Sequence, residues 1–501
     1  MRGGGIAITF FLALAISLAL TPAIRDFALR RGIVDAADSS RKLHTRPIPR
    51  LGGIAILCAA FSSLAVFLPW DETLRSAFAG GTIRVAVLLG GAGILGLIGL
   101  ADDLRSIRAR WKLLGQVFVA IAVFASGTRV SALACPGLGA VELGVFALPV
   151  TVIWIVGIVN AMNLIDGLDG LAGGVSLFAL ATIAAIAAFA GQPVTAAILM
   201  AAAGAVVGFL RYNFHPASIF MGDAGSMFLG YLLAVCSIGA SQQSSTAIAL
   251  GIPLAVLAVP IADTALSIGR RALRGRSVFS ADREHIHHLL LDAGVSHRGA
   301  VLVLYGVSAI FCAVALAAVF VGGRAVSAAA AAVCACAALA LRRLGFFRLE
   351  PGRRLGEERR RNRALRLAVN RMAFRLRGAA TLPEVLDRLA PIPSVLAASR
   401  AEAIVPAAGL RRCFPATQAP DGRAFSARFP IGKPSLGDVE VHWNDGRERL
   451  DRDDEIALQR ICMCVERAVR RIHPELVAPP EGAAEHSPAT STNVARPART
   501  G

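Results

Sequence analysis

Residues 154–174, WIVGIVNAMNLIDGLDGLAGG, join a long apolar run to a series of polar residues, and this junction decides the fold class. Asn160, Asn163, Asp166 and Asp169 recur every three residues, so on a helix they would form one polar face. Such a face cannot be exposed to lipid, and polar groups at membrane depth mark function by default. The stretch therefore predicts a membrane helix that ends at a polar site. An Asx-rich turn is the alternative interpretation.

The composition of the chain is that of a polytopic membrane protein. Of its 501 residues, 55% are hydrophobic and 17% are charged, whereas soluble proteins have about 45–50% apolar and about 25% charged residues. This composition argues against disorder over most of the chain and against an ordinary soluble enzyme. We predict an all-α polytopic membrane protein with about eleven transmembrane helices. The predicted spans are 6–22, 51–69, 83–101, 113–127, 146–162, 171–190, 193–210, 225–240, 247–268, 300–321 and 325–341.

Basic residues are distributed unevenly between the loops. The net charge of +18 could indicate a nucleic-acid partner, but cytoplasmic loops of membrane proteins collect Lys and Arg. The loops after odd-numbered spans hold eighteen Lys and Arg, and the opposite side holds five Arg when Arg84 at the start of its span is included. We therefore expect the N-terminus outside, the polar loops and the C-terminal tail in the cytoplasm, and no nucleic-acid partner. The nine cysteines form no C-x-x-C pair, so neither a zinc site nor a disulfide framework is predicted.

The sequence divides into a membrane domain at 1–342, a basic juxtamembrane segment at 343–380, a small cytoplasmic α+β domain at 381–477 and a disordered tail at 478–501. The basic segment is compatible with a helix lying on anionic lipid or with a solvated stop after the last span. The α+β domain is predicted from strand-like alternation followed by an amphipathic helix. It bears a weak likeness to a GAF-type domain.

Two carboxylates, Asp102 and Asp103, directly follow a long apolar run. Adjacent carboxylates repel each other unless a cation or base neutralises them. Adjacent side chains on a helix diverge, so one could meet a metal and the other a substrate. A plain helix-end acid pair facing Arg105 and Arg108 is the alternative.

Asp223 lies beside Gly222 in YNFHPASIFMGDAGS, just before the next apolar run, and is a candidate metal ligand. Oxygen ligands of this kind suit Mg²⁺ or Mn²⁺ better than zinc. Asn213 is a candidate neighbour in the same loop. His215 precedes Pro216 and is expected to be structural.

Histidines and lysines form the remaining candidate contacts with phosphate. EHIHH supplies three imidazoles that could bind a nucleotide or act as acid–base groups, although a solvated loop is the alternative. The chain has only three lysines, and a compact ammonium is a good point-charge partner for phosphate. These candidate substrate-binding residues are Lys42, His44, Lys112, His285, His287 and His288.

Five motifs occur in one order over residues 1–342: RKLHTRPIPRLGG, GLADD, NAMNLIDGLDGLA, YNFHPASIFMGDAGS and EHIHH. In these motifs the chain resembles the polyprenyl-phosphate N-acetylhexosamine-1-phosphate transferases, glycosyltransferase family 4. It is more similar to the WecA/TagO branch than to the MraY branch. In one position it departs from the family pattern, because Ser106 stands where an acid or amide often follows the two aspartates.

The resemblance implies a reaction in a bacterial inner membrane. A polyprenyl phosphate, expected to be undecaprenyl phosphate, attacks the β-phosphorus of a UDP-N-acetylhexosamine, expected to be UDP-GlcNAc, and UMP leaves. Mg²⁺, or Mn²⁺ in its place, would be held by Asp223 and Asn163. Asp102 or Asp103 would position or deprotonate the lipid phosphate, and Asp166 and Asp169 would complete the acidic basin. The resemblance further implies that the histidines contact the donor phosphates, with Asn160 and Asn213 as further substrate contacts.

Other interpretations of the function stay open. Phospho-MurNAc-pentapeptide transfer is the alternative within the family. A secondary transporter is the alternative from another class, with Asp263 beside Pro260 as a proton relay, although we find no internal repeat. The resemblance is compatible with a homodimer and with either a direct displacement or a covalent aspartyl intermediate.

Overall fold

The computed structural model describes residues 3–35, 48–67, 70–72, 75–76, 83–135, 139–242, 251–273, 285–321, 331–336, 339, 342–343, 352–415, 425–432, 436–447, 450 and 452–474. The chain divides into two compact units. The first comprises Met1–Arg270 and Phe279–Leu349, and the second comprises Arg271–Val278 and Glu350–Gly501. Residues 41–47, which include Lys42 and His44, and the predicted tail at 478–501 lie outside the described residues.

Helices dominate the first unit. They are α1 Gly3–Arg30, α2 Gly52–Phe67, α3 Ile83–Arg105, α4 Ala109–Ala125, α5 Ala147–Ile165, α6 Leu171–Phe189, α7 Pro193–Asn213, α8 Gly222–Gln242, α9 Gly251–Val256, α10 Ala258–Leu273, α11 Ile286–Asp292 and α12 His297–Phe320. Two short antiparallel strand pairs accompany them, β1 Val34–Asp35 with β2 Ile48–Pro49 and β3 Ala132–Cys135 with β4 Gly139–Glu142.

Among the described residues, seven helices are long and apolar enough to cross a membrane, namely α1, α3, α5, α6, α7, α8 and α12. The predicted number of eleven spans stays a prediction, because α2 is a shorter apolar helix and most of 325–341 lies outside the described residues. The predicted span at 247–268 is not one continuous helix, since α9 ends at Val256 and α10 begins at Ala258. Pro260 lacks the N–H that would bond the Val256 carbonyl, which accounts for the break.

Small residues let the membrane helices approach closely. A side chain at Gly204 of α7 would lie 2.1 Å from the Phe10 carbonyl oxygen of α1, and one at Gly208 would lie 2.7 Å from the Ser17 side chain. The Ser17 hydroxyl donates to the Ala205 carbonyl oxygen at 2.6 Å. The most buried of the apolar helices are α6, α7 and α8, and α8 follows directly on the loop 214–221.

The second unit is an α+β fold. Its helices are α13 Gly352–Arg377, α14 Leu382–Asp387, α15 Ile392–Val395 and α16 Arg452–Ile472, and its strands are β5 Arg400–Val405, β6 Leu410–Pro415, β7 Phe425–Pro430 and β8 Asp438–Trp443. The strands form an antiparallel sheet in the order β6-β5-β8-β7. The alternation predicted for 425–443 is therefore found as β7 and β8.

Alternate residues of β8 are buried, ending with the fully buried Trp443. The helix α13 lies within the segment predicted as a separate basic connection at 343–380, and yet Val369 and Leu376 belong to the same core as Trp443. The domain boundaries predicted from sequence stay predictions.

Candidate active site

The start of α2 is joined to the start of α8 by main-chain hydrogen bonds. The N–H groups of Gly52 and Gly53 donate to the carbonyl oxygens of Phe220 and Met221 at 2.9 and 2.7 Å. Gly222 has φ +74°, and a side chain there would lie 2.2 Å from the Arg50 carbonyl oxygen. Only glycine fits this conformation and this space, so the loop is fixed where it delivers Asp223 into the first turn of α8.

Asp103 at the end of α3 caps α8. Its Oδ1 accepts a hydrogen bond from the Asp223 N–H at 2.9 Å, and its Oδ2 accepts one from the Ala224 N–H at 3.0 Å. A carboxylate in this place satisfies free N–H groups and complements the helix dipole. At Gly99, one turn earlier, a side chain would lie 2.4 Å from the Asp223 carbonyl. Asp103 therefore positions Asp223, and both of its oxygens are engaged.

Asp102 points elsewhere, as the divergence of adjacent side chains predicts. Its Oδ2 lies 3.0 Å from Lys112 Nζ, and the same Nζ lies 2.7 Å from Oδ2 of Asp223. The other oxygen of Asp102 accepts from the Ile107 N–H at 2.6 Å. One ammonium thus holds together two carboxylates that would otherwise repel each other. The described ion pairs of Asp102 involve Lys112 and neither Arg105 nor Arg108, so the sequence-based alternative of a pair facing those arginines is wrong.

The two asparagines of α5 face this group at different depths. Asn163 Nδ2 donates to Ser226 Oγ at 3.1 Å, and its side chain also contacts Asp223. Asn160 Nδ2 donates to the Gln116 side-chain oxygen and to the Val156 carbonyl oxygen, both at 2.7 Å. Asn163 therefore lies at the carboxylates, whereas Asn160 is tied to α4 by a partly buried pair of amides.

Because α5 ends at Ile165, Asp166 and Asp169 lie in a turn and not on a continued helical face. The expectation of one polar face is met only by Asn160 and Asn163. Burial raises the pKa of Asp166 well above its ordinary value, and the charges of Asp223 and Asp103 add to the rise. An additional negative charge is therefore disfavoured in this basin unless a cation enters.

Asp169 is held by the loop that precedes α8. Its Oδ2 lies 2.8 Å from His215 Nδ1 and accepts from the Ala217 N–H at 3.0 Å. Asn213 is 2% exposed, and it accepts from the Gly170 N–H at 3.0 Å and donates to the Ile219 carbonyl oxygen at 2.9 Å. Both ends of the Asn213 amide thus fasten the two loops together, and its substrate-binding role stays a prediction. His215 has the structural role expected of it.

Asp169, His215 and His297 have ligand atoms within 4.8 Å of one another and could hold a metal ion. The two imidazole rings are nearly parallel, at 20°, with centroids 4.5 Å apart. A metal ion lies in the plane of each imidazole that binds it, so these nearly parallel rings favour a stack of His297 on the Asp169–His215 pair over a chelate. The oxygen donors around Asp223 are the better candidates for Mg²⁺ or Mn²⁺.

The histidine motif is anchored by Asp263 of α10. Asp263 Oδ2 lies 2.8 Å from His285 Nδ1, and Oδ1 accepts from the Ile286 N–H at 2.7 Å. Asp263 and His285 are both buried. This carboxylate caps α11 and orients an imidazole, and these contacts give it an anchoring role in place of the proton relay required by the transporter alternative.

His287 reaches the turn of the acidic basin. A side chain added at Gly167 would lie 3.1 Å from His287 Nε2, and the His285 and His287 rings are parallel with centroids 5.6 Å apart. Burial lowers the pKa of His287 to about 3, with the neighbouring His288 as the next cause. His287 is therefore a neutral imidazole at pH 7. The structure brings the histidine motif and the acidic turn together, as both were predicted to contact one substrate.

Sequence reasoning missed three residues of this region. Gln116 is a lone amide in the apolar run at 113–127, and this isolation could have indicated a buried polar contact. His297, which stacks on His215, and Ser226, which accepts from Asn163, carry no signal in their sequence surroundings.

Comparison with known proteins agrees with the family that the motifs indicated. The sequence profile described as "Glycosyl transferase family 4" matches residues 85–241. A protein of Bacillus subtilis (strain 168) is named "Probable undecaprenyl-phosphate N-acetylglucosaminyl 1-phosphate transferase". It is 39% identical over 307 residues, which are 61% of this chain and 83% of the relative.

Two further relatives extend the comparison. The "Decaprenyl-phosphate N-acetylglucosaminephosphotransferase" of Mycobacterium tuberculosis (strain ATCC 25618 / H37Rv) is 38% identical over 332 residues, covering 61% of this chain and 81% of the relative. The "Undecaprenyl-phosphate alpha-N-acetylglucosaminyl 1-phosphate transferase" of Salmonella typhi is 29% identical over 326 residues, covering 62% and 82%. The chain therefore belongs to glycosyl transferase family 4, in its WecA/TagO-like branch.

Proposed function

We propose that the protein transfers N-acetylglucosamine-1-phosphate from UDP-GlcNAc to a polyprenyl phosphate, with undecaprenyl phosphate as the acceptor. An oxygen of the lipid phosphate bonds to the β-phosphorus of the donor, the bond from that phosphorus to the bridging oxygen breaks, and UMP leaves with that oxygen. The observation that carries the proposal is the convergence of Asp102 and Asp223 on one cation, Lys112. The names of the relatives supply the chemistry of donor and acceptor.

The donor atoms around Asp223 fit a hard divalent cation. Two carboxylates and the amide of Asn163 offer oxygen, and the two carboxylates already share one positive charge. Asp223, Asn163 and Asp102 would hold Mg²⁺ or Mn²⁺, which when bound neutralises charge on the diphosphate oxygens.

The protein's own groups supply positioning. Asp103 fixes the first turn of α8 and with it Asp223. Lys112 offers a charge that can turn from the carboxylates to an incoming phosphate. Asp169 holds the loop around His215. This contact keeps the shape of the acidic basin while substrate binds and UMP leaves.

The histidine motif is proposed to bind the donor phosphates. Asp263 fixes His285, and the neutral imidazole of His287 can donate a hydrogen bond to phosphate without adding a positive charge. Lys42 and His44 stay predicted contacts with the lipid headgroup.

We further propose that the acidic basin opens to the cytoplasm, where a nucleotide sugar is soluble, and that the N-terminus lies outside a bacterial inner membrane. The basic loops support this orientation. The homodimer stays a prediction.

The test is UMP release by the full chain in anionic nanodiscs with Mg²⁺, polyprenyl phosphate and a panel of UDP-sugars that includes UDP-MurNAc-pentapeptide. We expect release with UDP-GlcNAc that requires the lipid phosphate and is lost in Asp223→Asn. Asp26→Asn, an exposed change on α1, is the matched control. UMP release with a different UDP-sugar, and none with UDP-GlcNAc, would show that the proposed donor is wrong. No UMP release from folded protein with any donor would overturn the proposal.

A further inference from the structure

One face of α13 is committed to the core of the second unit. Leu365, Val369, Met372 and Leu376 recur at helical spacing and are 1–7% exposed. They pack in the same cluster as the sheet and α16. This face explains why the helix forms, but it does not account for the residues on the opposite side of the helix.

The opposite face carries exposed apolar side chains. Leu367 is 51% exposed and Phe374 is 77% exposed. The two residues are seven positions apart, so they lie two turns from each other on one side of the helix. Arg363 and Arg371 precede each of them by three or four residues and are exposed as well. We call Arg363, Leu367, Arg371 and Phe374 the outer face of α13.

The charge around the outer face has one sign. Residues 359–377 contain eight arginines and no Asp or Glu. Apolar side chains between long basic ones are typical of helices that lie in the plane of a membrane surface, where the rings enter the headgroup region and the guanidinium groups stay at the phosphates.

We propose that the outer face of α13 docks on the anionic phospholipid headgroups of the bilayer in which the same chain is embedded. Ten residues of sequence separate the last predicted span, which ends at 341, from Gly352. Because this short connection tethers α13 to a membrane span, the helix stays close to the bilayer surface. The local concentration of anionic headgroups around the helix is therefore high. A second copy is the poorer occupant, because it would bring arginines against arginines. The inference is independent of the proposed catalytic function.

The proposal is tested on the full chain with a photocrosslinking benzoylphenylalanine at position 374, in nanodiscs of phosphatidylcholine alone or with phosphatidylglycerol. Position 426, exposed on β7, is the matched control. Mass spectrometry counts lipid adducts. We expect adducts at 374 in the anionic nanodiscs, fewer in phosphatidylcholine and fewer at high salt, with none at 426.

The charge dependence is tested with the double variant Arg363→Glu and Arg371→Glu. Because each basic residue near an anionic surface contributes to binding, we expect at least about a tenfold loss of adducts at 374. The far-ultraviolet circular dichroism and thermal unfolding of the variant must match the parent, since both changes are exposed. Equal adducts at 374 and 426, crosslinks to a second copy at 374, or no lipid adduct in anionic nanodiscs would overturn the proposal.

Discussion

The Nζ atom of Lys112 lies 2.7 Å from Oδ2 of Asp223, although 111 positions separate the two residues in sequence. The same nitrogen lies 3.0 Å from Asp102, so the start of α4 ties the end of α3 to the start of α8. The positive charge of Lys112 therefore offsets the negative charges of Asp102 and Asp223.

Replacing Lys112 with Met is expected to lower kcat about 10²–10³-fold, because a preorganised charge at a reacting phosphate is lost and two carboxylates are left to repel each other. The measurement is steady-state UMP release over a range of Mg²⁺ concentrations. Arg25→Met on α1 is the control, and a Lys112→Met enzyme with parental kcat would show that the ammonium has no part in turnover.

Asp103→Ala is expected to destabilise the protein by about 0.5–2 kcal/mol through loss of the α8 cap. The thermal unfolding midpoint in detergent should fall, and kcat should fall with it, because Asp223 loses its fixed main chain. Asp26→Ala should change neither quantity. An unchanged midpoint in Asp103→Ala would contradict the capping role.

Gly222→Ala combines a positive φ with a close approach to Arg50. The left-handed conformation alone costs about 1–2 kcal/mol for a residue with a side chain, so we expect poor yield of folded protein and loss of UMP release. Gly90→Ala on α3 is the matched control, because nothing described lies within 4 Å of a side chain there. Equal yields for the two variants would show that the loop can rearrange.

Asp263→Asn keeps one acceptor for His285 or Ile286 and loses the other. A buried donor left without an acceptor costs about 1–3 kcal/mol. We therefore expect KM for the UDP-sugar to rise roughly tenfold or more in Asp263→Asn, and to rise further in Asp263→Ala. Parental KM values in both variants would instead place the histidine motif outside the donor site. The split between KM and kcat separates this positioning effect from a general loss of folded enzyme.

The low pKa of His287 predicts a loss of stability in acid. Its pKa is about 3 in the folded protein and near 6.5 in an unfolded chain, so between these values the unfolded state binds more protons and stability falls as the pH falls. Unfolding midpoints at pH 7.5 and pH 5 should differ more in the parent than in His287→Asn. A difference of equal size in both would assign the pH dependence to other groups.

Much of this site could be predicted from single motifs. Asp102 and Asp103 were predicted to diverge because adjacent residues on a helix must do so, and the rarity of lysine singled out Lys112. Asp223 was marked by its place beside Gly222.

The parts that could not be predicted depend on tertiary contacts. Periodicity carried the helix α5 forward to Asp169, whereas the chain turns after Ile165. The turn is held by Asn213, whose partners are distant in sequence. The core-facing side of α13 was missed for the same reason, because the many arginines of the segment drew attention away from the apolar residues that enter the core.

The shared core of α13 determines how the chain can be divided for biochemistry. A truncation after Gly378 would keep this helix but remove α16 and the sheet, leaving Leu365, Val369, Met372 and Leu376 without their partners. Such a protein would aggregate through the apolar side chains that are newly exposed on α13. Its inactivity would then be mistaken for evidence that catalysis requires the removed residues. A stop codon placed before Gly352 removes α13 together with its core partners and so avoids that artefact.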